Sequence, residues 1–100
     1  MHGLTKRDMK YILEAVKKHP EIEEVILYGS RAMGNHKKGS DVDLALVGKE
    51  VTHKVLRKVH EDLNEELPLP YFFDVLIYHE ITNQELKKHI DNLGKSIYKA

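Results

Sequence analysis

Three short apolar runs fall between stretches of helical period, and this alternation restricts the possible folds more than any other feature of the chain. Val25-Ile26-Leu27-Tyr28 is wholly apolar and rich in β-branched residues, the pattern of a buried strand. Residues 41–47 read as a second strand, stopped by Gly48, and residues 71–78 as a third. The segments around them are amphipathic. Thr5 with Asp8 resembles a capping box, Leu4 and Met9 have staple spacing, and Met9, Ile12, Leu13 and Val16 line one helical face. Lys17-Lys18-His19 suits a helix C-terminus, and Pro20 ends that helix. Residues 31–34 predict a short helical turn and 35–40 a polar loop. A helix follows from Val51 or Thr52 to about Leu67, seamed by Val55, Val59 and Leu63 and closed by Pro68-Leu69-Pro70. Thr82 to Glu85 reads as another capping box, opening a last helix whose stripe is Leu86, Ile90, Leu93 and Ile97. The order α-β-α-β-α-β-α predicts an α/β domain, a sheet of three or more strands covered by about four helices.

At 100 residues the chain suffices for one hydrophobic core, so residues 1–100 are read as a single domain. Sixteen Lys+Arg balance sixteen Asp+Glu. That disfavours direct binding to nucleic acid, which rests on a cationic excess. With no cysteine, disulfides, zinc ribbons and thiol catalysis are excluded. No apolar run is long enough for a membrane span, and the N-terminus turns polar at once. The expectation is a cytoplasmic protein without a membrane partner.

Two of the predicted strands carry acids where a core strand has no use for them. Asp41 and Asp43 are two apart, hence on one strand face, while Val42, Leu44 and Leu46 take the other. Asp74 interrupts the apolar run Phe72-Phe73-Asp74-Val75-Leu76-Ile77, where an unpaired carboxylate is expensive to bury. If these strands are neighbours, opposed Cβ atoms lie about 4.5–5.5 Å apart, and three carboxylates meet. Like charges that close raise each other's pKa, and a divalent cation resolves the conflict. Magnesium takes a few carboxylates plus phosphate oxygens, and two such ions stabilise both oxygens of an in-line displacement.

Gly29-Ser30 breaks the first strand. A residue without Cβ lets backbone or ligand approach closely, and the Ser30 hydroxyl could cap the next turn or hold phosphate. Gly-Ser at this offset from Asp-x-Asp arises by chance in roughly one chain in a thousand of this length, given average residue usage. Arg31 reads either as a phosphate ligand or as a structural ion-pair partner, Asp74 being one candidate mate. Gly39-Ser40 precedes the first acid and could loop over a triphosphate, while His36-Lys37-Lys38 forms a small positive patch. The seven histidines show no metal-ligand grouping. His53, His60 and His89 read as surface or boundary residues.

Gly29-Ser30-x10-Asp41-x-Asp43 with a later strand-borne Asp74 resembles the signature of the polymerase beta-related nucleotidyltransferase superfamily. The string Gly29-Ser30-Arg31-Ala32-Met33-Gly34 and the short length resemble its minimal (MNT) branch. The resemblance implies a mixed sheet bearing three acids, with ATP as substrate and two Mg2+ ions held by Asp41, Asp43 and Asp74. It also implies nucleotide contacts from Gly29 and Ser30, with Asp74 assisting deprotonation of the acceptor. Met33 stands where the family often has arginine, leaving Lys37 or Lys38 to supply that charge. Minimal members commonly pair with a small helical HEPN-domain protein as antitoxin and toxin, and transfer AMP to it.

Three functions stay open on sequence: transfer of AMP to a HEPN partner, neutralisation of that partner by contact without catalysis, and transfer to a small molecule or an RNA end. The absence of any acceptor-binding domain favours a heteromeric complex.

Overall fold

The computed structural model describes residues 3–100; Met1 and His2 lie outside the described residues. The chain runs α1 (Lys6–Lys17), β1 (Glu24–Tyr28), α2 (Ser30–Met33), β2 (Val42–Val47), α3 (His53–Glu61), β3 (Phe73–Ile77), α4 (Gln84–Leu93) and β4 (Lys95–Lys99). A π-helical turn, Asp62–Glu66, extends α3, and a 3-10 turn, Tyr78–Glu80, follows β3. The four strands form one mixed sheet in the order β3-β2-β1-β4. β1 is antiparallel to both β2 and β4, and β2 is parallel to β3. α3 makes the crossover that a parallel pair requires.

Local sequence signals account for most helix ends. Thr5 and Asp8 form a reciprocal capping box, Thr52 caps α3, and Asn83 caps α4. α1 and α3 press Ile12, Ala15, Val16, Val55 and Val59 onto one sheet face, against Val25, Leu27, Val42, Leu44, Leu46, Phe73 and Val75. α4 covers the other face more sparsely, with Ile90 and Leu86 on Ile26, Tyr28, Ala45 and Leu76. Buried Asp62 is paired with Lys18 at 3.2 Å and Lys58 at 3.5 Å, tying the end of α1 to the end of α3.

The C-terminus departs from the predicted helix. α4 stops at Leu93, and Ile97 lies in β4 rather than on a helical stripe. The physical reason is Gly94. Glycine is a poor helix former, and without a Cβ it lets the chain turn where a side chain would collide with the Ile90 carbonyl and the Ile26 side chain. The strand was hidden because a bulge removes its alternation. Tyr98 pairs with Val25 and Ser96 with Ile26, leaving Ile97 as the extra residue. Ile97 and Tyr98 consequently both pack on the α1–α3 core.

Gly94→Ala tests this arrangement by its sign. In a continuous helix the change stabilises by about 1 kcal/mol. In the observed turn it should destabilise by about 1–3 kcal/mol, the usual cost of forcing atoms into packed space. Urea unfolding of the two proteins reads the difference directly.

Candidate active site

β1 ends at Gly29, whose backbone (φ 77, ψ −155) lies in a region open essentially to glycine alone. Space imposes the same choice, since a Cβ at Gly29 would strike the Asp43 carboxylate. The turn that follows is short. Met33 N–H donates to the Gly29 carbonyl at 3.2 Å, and Gly34 closes α2 in the left-handed conformation. No side chain caps α2, so Ser30 opens the helix rather than capping it, and its hydroxyl bonds no group among the described residues.

Asp43 and Asp74 are register partners on β2 and β3, and Tyr28 of β1 is the register partner of Asp43 on the other side. Tyr28, Asp43 and Asp74 therefore form a row on the α4 face of the sheet. Asp41 falls one residue before β2, exposed, so its shared face with Asp43 is not imposed by strand pleat. Its charge still reaches Asp43. Burial first, then the charges of Asp74 and Asp41, push the Asp43 carboxyl above the ordinary range. The Tyr28 hydroxyl is pushed up by burial and by the charges of Asp43 and Asp74. Among the described residues no lysine or arginine pairs with any of the three acids. Asp62, by contrast, is buried and paired with two half-exposed lysines.

Two further residues from the sequence reading sit differently from a free phosphate ligand. Arg31 is 2% exposed. Its Nε and Nη2 donate to the Ser40 carbonyl at 3.1 and 2.7 Å, and its guanidinium lies 4.8 Å from the centre of the Tyr71 ring. The Tyr71 hydroxyl in turn donates to Asp8 at 2.8 Å. Arg31 is thus a clamp on the loop before Asp41, and Asp74 is not its mate. The Ser40 hydroxyl turns back to the Lys37 carbonyl at 2.5 Å. Met33 is 51% exposed, and Lys37 and Lys38 are exposed beside it in sequence.

Sequence reasoning missed Tyr28 and His89. Tyr28 reads as one more apolar strand residue until register places it against Asp43. His89 precedes buried Ile90 on α4, and its Nε2 accepts the Gly29 N–H at 2.9 Å while its ring meets Tyr28 edge-on. No local signal marks it, because the contact spans sixty residues.

No three His, Cys, Asp or Glu side chains among the described residues already converge as a metal cage. The donor set nevertheless suits magnesium, which binds through one or two carboxylates and completes its shell with water and substrate phosphates. The hard oxygens of Asp43 and Asp74, side by side without a neutralising cation, are of that kind.

The family description "Polymerase beta, Nucleotidyltransferase" matches residues 10–100. The chain belongs to the polymerase beta nucleotidyltransferase family. The solved structures agree in fold. A toxin–antitoxin complex with AMP-PNP superposes at TM-score 0.75 and 17% identity, over 93% of this chain and 74% of that one. The MntA–HepT toxin–antitoxin pair gives 0.71 at 14%, over 96% and 74%. A tri-AMPylated Shewanella oneidensis HEPN toxin with its MNT antitoxin gives 0.70 at 15%, over 100% and 74%. At these identities the likeness is one of fold. No curated protein sequence matches the chain.

The raised Asp43 pKa fixes the sign of a stability effect. A carboxyl whose folded pKa exceeds its unfolded value holds more protons in the native state. Its charged form therefore penalises the ligand-free fold at neutral pH, and the penalty fades as pH falls through the folded pKa. Asp43→Asn should raise the melting temperature at neutral pH, each 1 kcal/mol of relief appearing as about 4–8 °C in a domain of this size. The gap to wild type should close on acidification. A variant that melts lower at neutral pH contradicts the assignment.

Proposed function

We propose that this chain transfers AMP from ATP to a hydroxyl of a partner protein, and that the partner is a HEPN-domain protein it neutralises as an antitoxin. The observation that carries the reading is the Asp43–Asp74 row, unpaired and beside the Gly29 bend, in a chain of the nucleotidyltransferase family. AMP-PNP in one structural neighbour and AMP groups on the HEPN toxin of another support the choice of nucleotide and acceptor.

In this reading Gly29 and Ser30 hold the β- and γ-phosphates, the free Ser30 hydroxyl serving as donor. Arg31 and Ser40 act one step back, fixing the loop that leads into Asp41. Asp43 and Asp74, with Asp41 from the strand end, would hold the magnesium ions. Bound magnesium would neutralise charge on the phosphates and on the leaving pyrophosphate. The acceptor oxygen attacks the α-phosphorus, the bond from that phosphorus to the bridging oxygen breaks, and pyrophosphate departs. Asp74 is exposed at the outer end of the row, which suits it to take the acceptor's proton. Aligning attacking oxygen, phosphorus and leaving oxygen is the larger share of such catalysis.

The Asp41→Asn, Asp43→Asn double variant should fold and lose magnesium-dependent transfer of label from α-labelled ATP to the partner. Intact mass of the partner should show nucleotide-sized increments with wild type and none with the variant. Undiminished transfer removes the acid assignment. A variant that still silences the partner at equimolar ratio shows that contact alone neutralises it.

A further inference from the structure

β1's ladders end at Tyr28 toward β2 and at Leu27 toward β4, so neither strand supplies an acceptor for the Gly29 N–H. A backbone donor at such a site needs a partner from elsewhere. His89 supplies it. Its Nε2 accepts at 2.9 Å, which requires that nitrogen to be unprotonated and places the ring proton on Nδ1. The ring is held by edge-on contact with Tyr28, centroids 6.2 Å apart and planes at 77°. One side chain of α4 therefore touches both the residue beside Asp43 and the glycine that abuts the Asp43 carboxylate.

The strand-end glycine has a backbone that persists only where its surroundings over-determine it. From one side, Asp43 leaves no room for a Cβ. From the other, His89 fixes the direction of the peptide N–H. Rotating that peptide would swing Ser30 and the start of α2 relative to the acid row. We propose that His89 is a positioning residue that sets the Gly29-Ser30 turn at a fixed separation from Asp43 and Asp74. The inference rests on the reading of that turn as the triphosphate holder. Its consequence is that α4, which contributes no carboxylate to the acid row, governs how well nucleotide is held.

Two variants separate the hydrogen bond from packing. His89→Phe keeps a ring against Tyr28 and removes the acceptor, while His89→Gln offers a carbonyl oxygen near the position of Nε2. Titration with AMP-PNP and magnesium should show about fivefold to tenfold weaker binding for His89→Phe, the worth of one hydrogen bond. His89→Gln should recover most of that loss, together with the melting temperature that His89→Phe gives up by orphaning the Gly29 N–H. In the ligand-free wild type, nitrogen NMR should find His89 Nε2 unprotonated, and the Gly29 amide should exchange more slowly than in His89→Phe. Equal binding by wild type and His89→Phe overturns the positioning role while leaving the nucleotide reading intact. Equal losses in both variants, tracking lower melting temperatures, reduce His89 to a packing residue and overturn it too. A wild-type protein that binds no AMP-PNP removes the nucleotide reading, and this inference falls with it.

Discussion

The parallel register that sets Asp43 beside Asp74 governs the whole acid-bearing end of the sheet. Two carboxylates about 5 Å apart repel by roughly 1 kcal/mol in water and up to about 4 kcal/mol at a partly buried surface. The opposite face of the same two strands outweighs this. Val42, Leu44, Leu46, Phe73, Val75 and Ile77 are all buried there. Each such side chain contributes about 1.5–3 kcal/mol. A one-residue slip of β3 would turn Phe73, Val75 and Ile77 away from the core. The apolar pattern thus enforces a charge placement that the acids would not choose.

A second chain of contacts fixes the ground around that pair. The Asp8 carboxylate accepts the N–H of the α1 cap Thr5 and receives Tyr71, Tyr71 underlies Arg31, and Arg31 grips the Ser40 carbonyl just before Asp41. Burial alone would push the Asp8 carboxyl up, but hydrogen bonds from the Thr5 N–H, the Tyr71 hydroxyl and the Thr5 hydroxyl bring it below the usual range. On the other flank, Asn64 in the π turn bonds both the N–H and the carbonyl of Phe73, at 2.7 and 3.0 Å. This clamp holds the start of β3 one residue before Asp74. It also occupies backbone groups that an edge strand would otherwise leave open. Asp41 and Asp74 are each preceded in sequence by a residue held from outside the sheet, so the loops here are less free than their polar composition suggests.

Features resting on neighbours in sequence were legible without coordinates. The Thr5–Asp8 capping box and the Val55–Val59–Leu63 seam are local, and they formed as read. The acids were legible in kind, since Asp74 has no business in an apolar strand. Their adjacency required a pairing that sequence left conditional. Arg31 and His89 were illegible for a common reason: a buried clamp and a surface side chain have the same letter, and their partners Tyr71 and Gly29 lie forty and sixty residues away. β4 was lost because its bulge puts Ile97 and Tyr98 on one face, erasing the period of two by which strands are found.

The two faces of the sheet differ in a way that bears on catalysis. The α1–α3 face is sealed, whereas α4 covers only part of the other, leaving Asp41 and Asp74 exposed at its edge. Phosphoryl chemistry benefits when water is kept from the nucleophile's place, since water is itself a competing acceptor. Among the described residues, Asp41 and Asp74 are exposed and Asp43 is half-buried. Sealing the row with a lid from the same chain would fix one environment for every acceptor. Under the proposed function, an open row closed by the acceptor protein itself would make exclusion of water coincide with arrival of the correct hydroxyl.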